Sequence, residues 1–215
     1  GVAEAQFALG RLARSPQEAV RWYSDAAQRG HPEALHELSV LLRQGHGVAR
    51  DAGASERLSR MAAGTGHVAA MQDLAYMYWS GDGVAADREE AIRWYRRAAE
   101  LGSPQAQHDL AAALSGTDPT ETARWLRRAA EAGHPGAMRR LGLAHRDGRG
   151  APADLLQAAR WLIAAQRVGS AESGPELQMV ARGLTPEQLH EADRQSGGDG
   201  STAAALLAGH ILPPP

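Results

Sequence analysis

The histidines come first among the residues that could do chemistry, because an imidazole can ligate a metal or move a proton near neutral pH. There are nine. Three of them, His31, His67 and His134, each directly follow a glycine and fall in one recurring slot, which marks them as turn residues. His36 and His108 share a helical column two copies apart, with Gln72 between them. Metal ligands must converge within a few ångström, so this spacing does not make a site. Three Gly-x-Gly stretches, at Gly45, Gly81 and Gly148, could be mistaken for phosphate cradles. Each follows a helical pattern rather than a strand and recurs in register, so each reads as a turn and not as a dinucleotide fingerprint. The chain has no cysteine, which excludes thiolate-held zinc, iron–sulfur clusters, disulfides and a cysteine nucleophile. No Ser–His–Asp arrangement and no paired carboxylates stand apart from the pattern. The expectation is a non-catalytic chain without metal or cofactor.

Charge and hydropathy narrow the partners. Among 215 residues, 23 arginines and no lysine face 25 acids, for a formal net charge of −2. That balance argues against nucleic-acid binding through bulk electrostatics. No apolar run approaches the roughly 18–20 residues of a membrane span, and the N-terminal stretch lacks the pattern of a secretory signal. A cytoplasmic chain with a protein or peptide partner is expected.

The elements that must position any site come from a repeat. Trp22, Leu58, Trp94, Trp125 and Trp161 stand in register, separated by 36, 36, 31 and 36 residues. The same register carries Ala26, Ala62, Ala98, Ala129 and Ala165, then Gly30, Gly66, Gly102, Gly133 and Gly169. A second column runs Leu9, Leu38, Leu74, Leu110 and Leu141, with Ala5, Ala34, Ala70, Ala106 and Ala137 four residues earlier. Each copy reads as a helix A on the Leu column and a helix B on the Trp column, closed by its glycine. The 31-residue step reflects a fourth copy that lacks the Gly-x-Gly loop. In the second copy, Leu58-Ser59 replaces the aromatic pair, and Gly64 is expected to break helix B. One hairpin cannot bury its apolar face alone, so the copies must stack.

The order Ala…Leu…Tyr…Gly-x-Gly-Val…Asp…Ala…Trp-Tyr…Ala-Ala…Gly, most complete from Ala70 to Gly102, resembles the Sel-one-like repeat, a relative of the tetratricopeptide repeat. The resemblance covers residues 1–170, in copies at about 1–30, 31–66, 67–102, 103–133 and 134–169. It implies an all-α, right-handed superhelical solenoid that serves as a scaffold or adaptor for protein–protein contact. Some cysteine-rich members bind or hydrolyse β-lactams; lacking cysteine, this chain departs from that branch.

Both ends depart from the pattern. Gly1 stands four residues before Ala5, as the closing glycines stand before the other helix A alanines, and the array is expected to continue upstream. Residues 171–195 read as C-terminal capping helices, with Thr185, Pro186 and Gln188 forming a helix start between Leu184 and Leu189. Residues 196–215 read as a disordered tail, with a weak helical pattern from Ala203 to Leu212. Residues 171–215 hold six acids against two arginines, so the repeats carry the positive balance.

Helical geometry selects a candidate groove. At about 100° per residue, offsets −4, +3 and +4 from the core Leu fall on its side of helix A, and offsets −2, +2 and +5 fall opposite, on the expected concave face. Those three columns supply Arg11, Arg14, His36, Arg43, Gln72, Tyr76, Trp79, His108, Arg139 and Arg146, with no acid among them. The expected occupant is an acidic or C-terminal peptide segment, with Tyr76 and Trp79 as apolar anchors and arginine forks on carboxylates. A further possibility is that the acidic 171–215 segment itself occupies the groove.

Overall fold

The computed structural model describes residues 1–209, which fall into two units, the first from Gly1 to Leu101 and the second from Gly102 onward. The first unit holds three helical hairpins: α1 (Val2–Arg11) with α2 (Pro16–Gln28), α3 (Pro32–Gln44) with α4 (Ala52–Gly64), and α5 (Val68–Ser80) with α6 (Arg88–Glu100). The second holds α7 (Pro104–Leu114) with α8 (Pro119–Glu131) and α9 (Pro135–Asp147) with α10 (Leu155–Arg167), followed by α11 (Ser173–Ala181), α12 (Pro186–Gln195) and α13 (Ser201–Leu207). There is no strand among the described residues. The fold is an all-α stack of helix–turn–helix repeats.

Every helix B starts on an oxygen cap. Ser15, Asp51, Asp87, Asp118 and Asp154 each accept from the backbone N–H three residues on, at 2.8–3.2 Å. Each such cap is worth about 1 kcal/mol. Three helix A starts use a different group: the Nδ1 atoms of His31, His67 and His134 accept from Ala34, Ala70 and Ala137 N–H at 3.4, 3.2 and 3.1 Å. Ser103 fills that slot in the fourth copy, with Oγ accepting from Ala106 N–H at 3.2 Å.

The core is built on small residues. Ala34, Ala70, Ala106 and Ala137 on the A helices, and Ala26, Ala62, Ala98, Ala129 and Ala165 on the B helices, are all fully buried. Leu74, Leu110 and Leu141 are fully buried with them, while Leu9 is 43% exposed. The buried arc of helix A is wider than the sequence pattern indicates. Offsets −3 and +1 are buried too, as at Met71 and Ala75 or Met138 and Gly142, whereas +3 is buried only at Met77. A helix flanked by two B helices must bury two sides, which widens its apolar face.

The second copy is not broken. Gly64 is the last residue of α4, and Thr65 caps it at the same register at which Leu101 caps α6. Near a helix end a glycine costs little, because few intrahelical bonds depend on it. The small Ser59 is buried, donating through its hydroxyl to that of Ser39 at 3.1 Å.

Each Gly-x-Gly loop presses on the start of the helix B before it. In the second unit, a β-carbon placed on Gly150 (φ +72°) would lie 1.9 Å from the Pro119 carbonyl oxygen. Only glycine lets the two backbones approach this closely.

At the C-terminal end, α11 and α12 bury Leu177, Val180 and Ala192 against Ala158, Ala159, Leu162 and Ile163 of α10, with Leu184 and Leu206 beside them. Thr185 and Gln188 exchange side-chain and backbone bonds at the start of α12. The disordered tail expected from residue 196 is not what the structure holds: α13 spans Ser201–Leu207. Its anchor is Asp193, fully buried, whose Oδ2 accepts from Ala203 N–H at 3.0 Å. A buried carboxylate fixes a helix start that the Gly-rich composition conceals. Residues 210–215, where the weak helical pattern would end, lie outside the described residues.

The loop contact gives a paired test. Gly133 has φ +89°, and a β-carbon there would meet nothing within 4 Å, so Gly133→Ala meets only backbone strain of about 1–2 kcal/mol. Gly150→Ala meets that strain and the Pro119 carbonyl. Urea unfolding should place Gly150→Ala clearly below Gly133→Ala; equal midpoints would mean the loop is not seated on α8.

Candidate functional site

The ten candidate groove residues do not form one open basic surface. Three of them, His36, Arg43 and Arg139, meet acids of the following copy or cap, and Arg146 pairs with its own neighbour Asp147. In the first unit, His36 Nε2 lies 2.9 Å from Asp73 Oδ2, and Arg43 donates to Asp82 at 3.1 Å. Arg50 donates to the other oxygen of Asp82 at 2.8 Å. In the second unit, Arg139 Nε donates to Glu176 Oε2 at 2.8 Å, and its guanidinium also meets Glu172 at 2.8 Å. Arg146 makes a two-pronged contact with Asp147 at 2.7 and 3.1 Å. Arg11 and Arg14 are exposed, and Gln72 is half-buried.

Helical angles taken around one helix miss the part played by offset −1 of helix A. That column carries Ala8, Glu37, Asp73, Asp109 and Arg140, and at Asp73 it meets His36 from the −2 column of the preceding copy. The signal was legible in the register. Leu177 stands 36 residues after Leu141, so α11 takes the place of a further helix A and Glu176 falls in the same column. The acids of α11 therefore belong to a packed cap whose Leu177 and Val180 are buried in the core, rather than to a strap lying loosely in a groove.

The two groove histidines pack against the helix-capping histidines of the next copy, tilted at His36 and stacked at His108. The His36 and His67 rings have centroids 4.9 Å apart, and those of His108 and His134 lie 4.6 Å apart. Phe7 holds the same position against His31 at 4.8 Å. An Nδ1 that accepts a backbone N–H leaves the proton on Nε2, and in His134 that nitrogen lies 3.0 Å from Gln105 Oε1. Burial first, then the neighbouring His36 or His108, holds the pKa of His67 and of His134 below the ordinary value of 6.5. Glu33, Glu37 and Asp73 around His67, and Asp109 near His134, oppose the shift without reversing it.

Two features remain open to a ligand. On α5, Tyr76 is 51% exposed, and the partly exposed Trp79 ring carries the Arg88 guanidinium 5.0 Å from its centroid. In the second unit an open cavity of about 690 Å³ lies between the last turns of α9 and the start of α8. Its apolar wall includes Pro119, Leu126, Leu143 and Ala144; its polar wall includes Arg140, Arg146, Asp147 and Arg149. It adjoins the shortened fourth copy. Helix α7 has 11 residues where α3, α5 and α9 have 13, and Ser115, which caps it, borders the cavity.

Comparison with known proteins follows the same register. The model of the Sel1 repeat matches residues 3–31, 32–67, 68–103, 104–134 and 135–165. The chain belongs to the Sel1 repeat family. A Sel1 repeat protein from Oxalobacter formigenes superposes with a TM-score of 0.78 at 25% identity, covering 88% of this chain and 85% of that one. The c5321 protein of uropathogenic Escherichia coli, described as a protective antigen with an SLR fold, also gives 0.78, at 26% identity. It covers 98% of this chain, which spans half the length of that protein. The immunity protein PA5088 from Pseudomonas aeruginosa gives 0.53 at 20% identity over 99% of this chain and 88% of that one, a likeness of fold alone. No curated protein matches the chain. Among the described residues, no helix is long and apolar enough to cross a membrane. Sel1 repeats generally mediate protein–protein contact, and no catalytic family is indicated.

The histidine caps of the Sel1 hairpins make stability depend on pH. The folded His67 and His134 bind protons less readily than the unfolded chain does, so their contribution is complete above pH 6.5 and is lost as pH falls through the lowered folded values. Tm should fall between pH 7.5 and about 5.5, before most carboxylates titrate. In the double variant His67→Ser/His134→Ser, which keeps a cap of the kind Ser103 provides, the fall should shrink; an unchanged slope would show that these caps do not titrate.

Proposed function

We propose that the protein is a non-catalytic scaffold that docks a partner polypeptide on the outward face of its A helices. The observation that carries this reading is the aromatic pair on α5, exposed at Tyr76 and partly exposed at Trp79. Tyr76 leaves half its surface in water, at 51%, and Trp79 lies beside it under Arg88. Exposed tyrosine and tryptophan cost the free protein solvation and supply large, rigid contact area to a partner, which is why they are enriched at binding hot spots. Membership of a family that generally mediates protein–protein contact supports the same conclusion.

The chemistry of the partner differs from the expected acidic peptide. Arg43 and Arg139 spend their charge on Asp82 and the two glutamates of α11, and His36 Nε2 is engaged by Asp73. A ligand carboxylate would have to displace these partners, and exchanging one ion pair for another gains little. Apolar contact at Tyr76 and Trp79 then drives association, and the paired charges set its register. No observation favours the β-lactam reading.

The test is affinity capture with the intact chain, comparing wild type with Tyr76→Ala/Trp79→Ala. Both side chains are exposed enough that the variant should keep its helical signal and melting profile. A partner held by wild type should be released at least about tenfold more readily by the variant. A partner held equally by both proteins would place docking elsewhere on the molecule.

A further inference from the structure

We propose that the cavity at the junction of α8 and α9 is a receptor for the free C-terminal carboxylate of a partner polypeptide ending in an aliphatic residue. The proposal rests on the polypeptide-docking reading for the nature of the ligand, but it concerns a different place on the chain from Tyr76 and Trp79.

Arg140 supplies the first argument. Its side chain lines the cavity, and it makes no hydrogen bond or ion pair among the described residues. The acid in its surroundings is Asp109, whose Oδ1 is engaged by Gln105 at 2.9 Å and faces His108 at 3.3 Å. Burial, the larger influence on Arg140, pushes its pKa down, and Asp109 only partly offsets it. A half-buried guanidinium with all five N–H donors unspent is costly, and a carboxylate is the group whose geometry its fork matches. The Arg140 situation contrasts with that of Arg139 one residue earlier, which is fully engaged by Glu172 and Glu176.

Net charge and shape point the same way. Arg140, Arg146 and Arg149 face one acid, Asp147, so the polar wall keeps an excess of positive charge even with Arg146 paired. Beside it, Leu143 on α9 and Leu126 and Pro119 on α8 offer apolar surface to a side chain. A volume of about 690 Å³ lies within the usual range for pockets that hold a small ligand. One side is closed where the Gly150 backbone presses on the Pro119 carbonyl, with no room even for a β-carbon. A chain that enters cannot pass between them. A terminus, which carries its own charge and needs no exit, fits a recess closed on that side better than an internal glutamate.

The experiment uses the full chain and three synthetic probes: N-acetyl-Gly-Ala-Leu as the free acid, the same tripeptide as its C-terminal amide, and N-acetyl-Ala-Glu-Leu-amide. Binding is followed by methyl NMR of Leu126 and Leu143 and by the Arg140 Nε–Hε resonance. The free acid should shift all three signals. The amide and the internal-glutamate probe should bind at least about tenfold more weakly, as expected for loss of a charge-assisted contact. Arg140→Gln should cause a similar loss for the free acid while leaving the fold intact by melting, and Arg93→Gln, on an exposed part of α6, should change nothing. Equal binding of acid and amide, preferential binding of the glutamate probe, or shifts that survive Arg140→Gln would each overturn the proposal. Failure here would leave the Tyr76–Trp79 docking face untouched, because none of these probes or variants involves it.

Discussion

Close approach of helix backbones across alanine is the constraint on which the rest of the molecule depends. Nine alanines of the two repeat columns are fully buried, and none has a side chain long enough to hold two helices apart. Helices that meet through alanine trade side-chain bulk for backbone proximity and dispersion contact. The larger residues then act in the gaps, as Leu74, Leu110 and Leu141 do on the A helices. Neither helix of a hairpin can satisfy its apolar surface without the next copy, so each copy borrows its stability from its neighbour.

That dependence explains why the charges on the A helices are less available than their side-chain types indicate. When copies sit close, an offset of one residue on one helix A faces an offset of two on its predecessor. Complementary groups in those columns meet, as His36 with Asp73 and Arg139 with Glu176 show. The same proximity places aromatic or imidazole rings in pairs at successive copies, so that a residue chosen for capping one helix also packs on the one before. What looks like a ligand-binding surface along a single helix is in large part the seam of the stack.

The repeat, its period and the two-helix plan of each copy were legible in the sequence because they rest on many residues at once. Trp22, Trp94, Trp125 and Trp161 occupy equivalent helix B positions, although their burial ranges from partial to nearly complete. What was not legible depends on single atoms or on contacts between copies. Nothing in the types of His31, His67 and His134 says that Nδ1 would accept a backbone N–H. Asp193 gives no sign in a Gly- and Ser-rich context that it would be buried and start α13. The candidate groove follows from angles around one helix, and the neighbouring copy, which supplies the acids, has no place in that geometry.

The fourth copy shows what a repeat protein can gain by subtraction. Its helix α7 is two residues shorter than the other complete A helices of the interior, and the loop after it lacks the Gly-x-Gly stretch. Its last cap, Ser115, borders a recess whose other walls belong to α8, α9 and the loop after α9. The recess is therefore shared between two adjacent modules, each of which keeps the side chains its own columns assign. Individuality in such an array need not be written into one module; it can come from the way unequal modules meet.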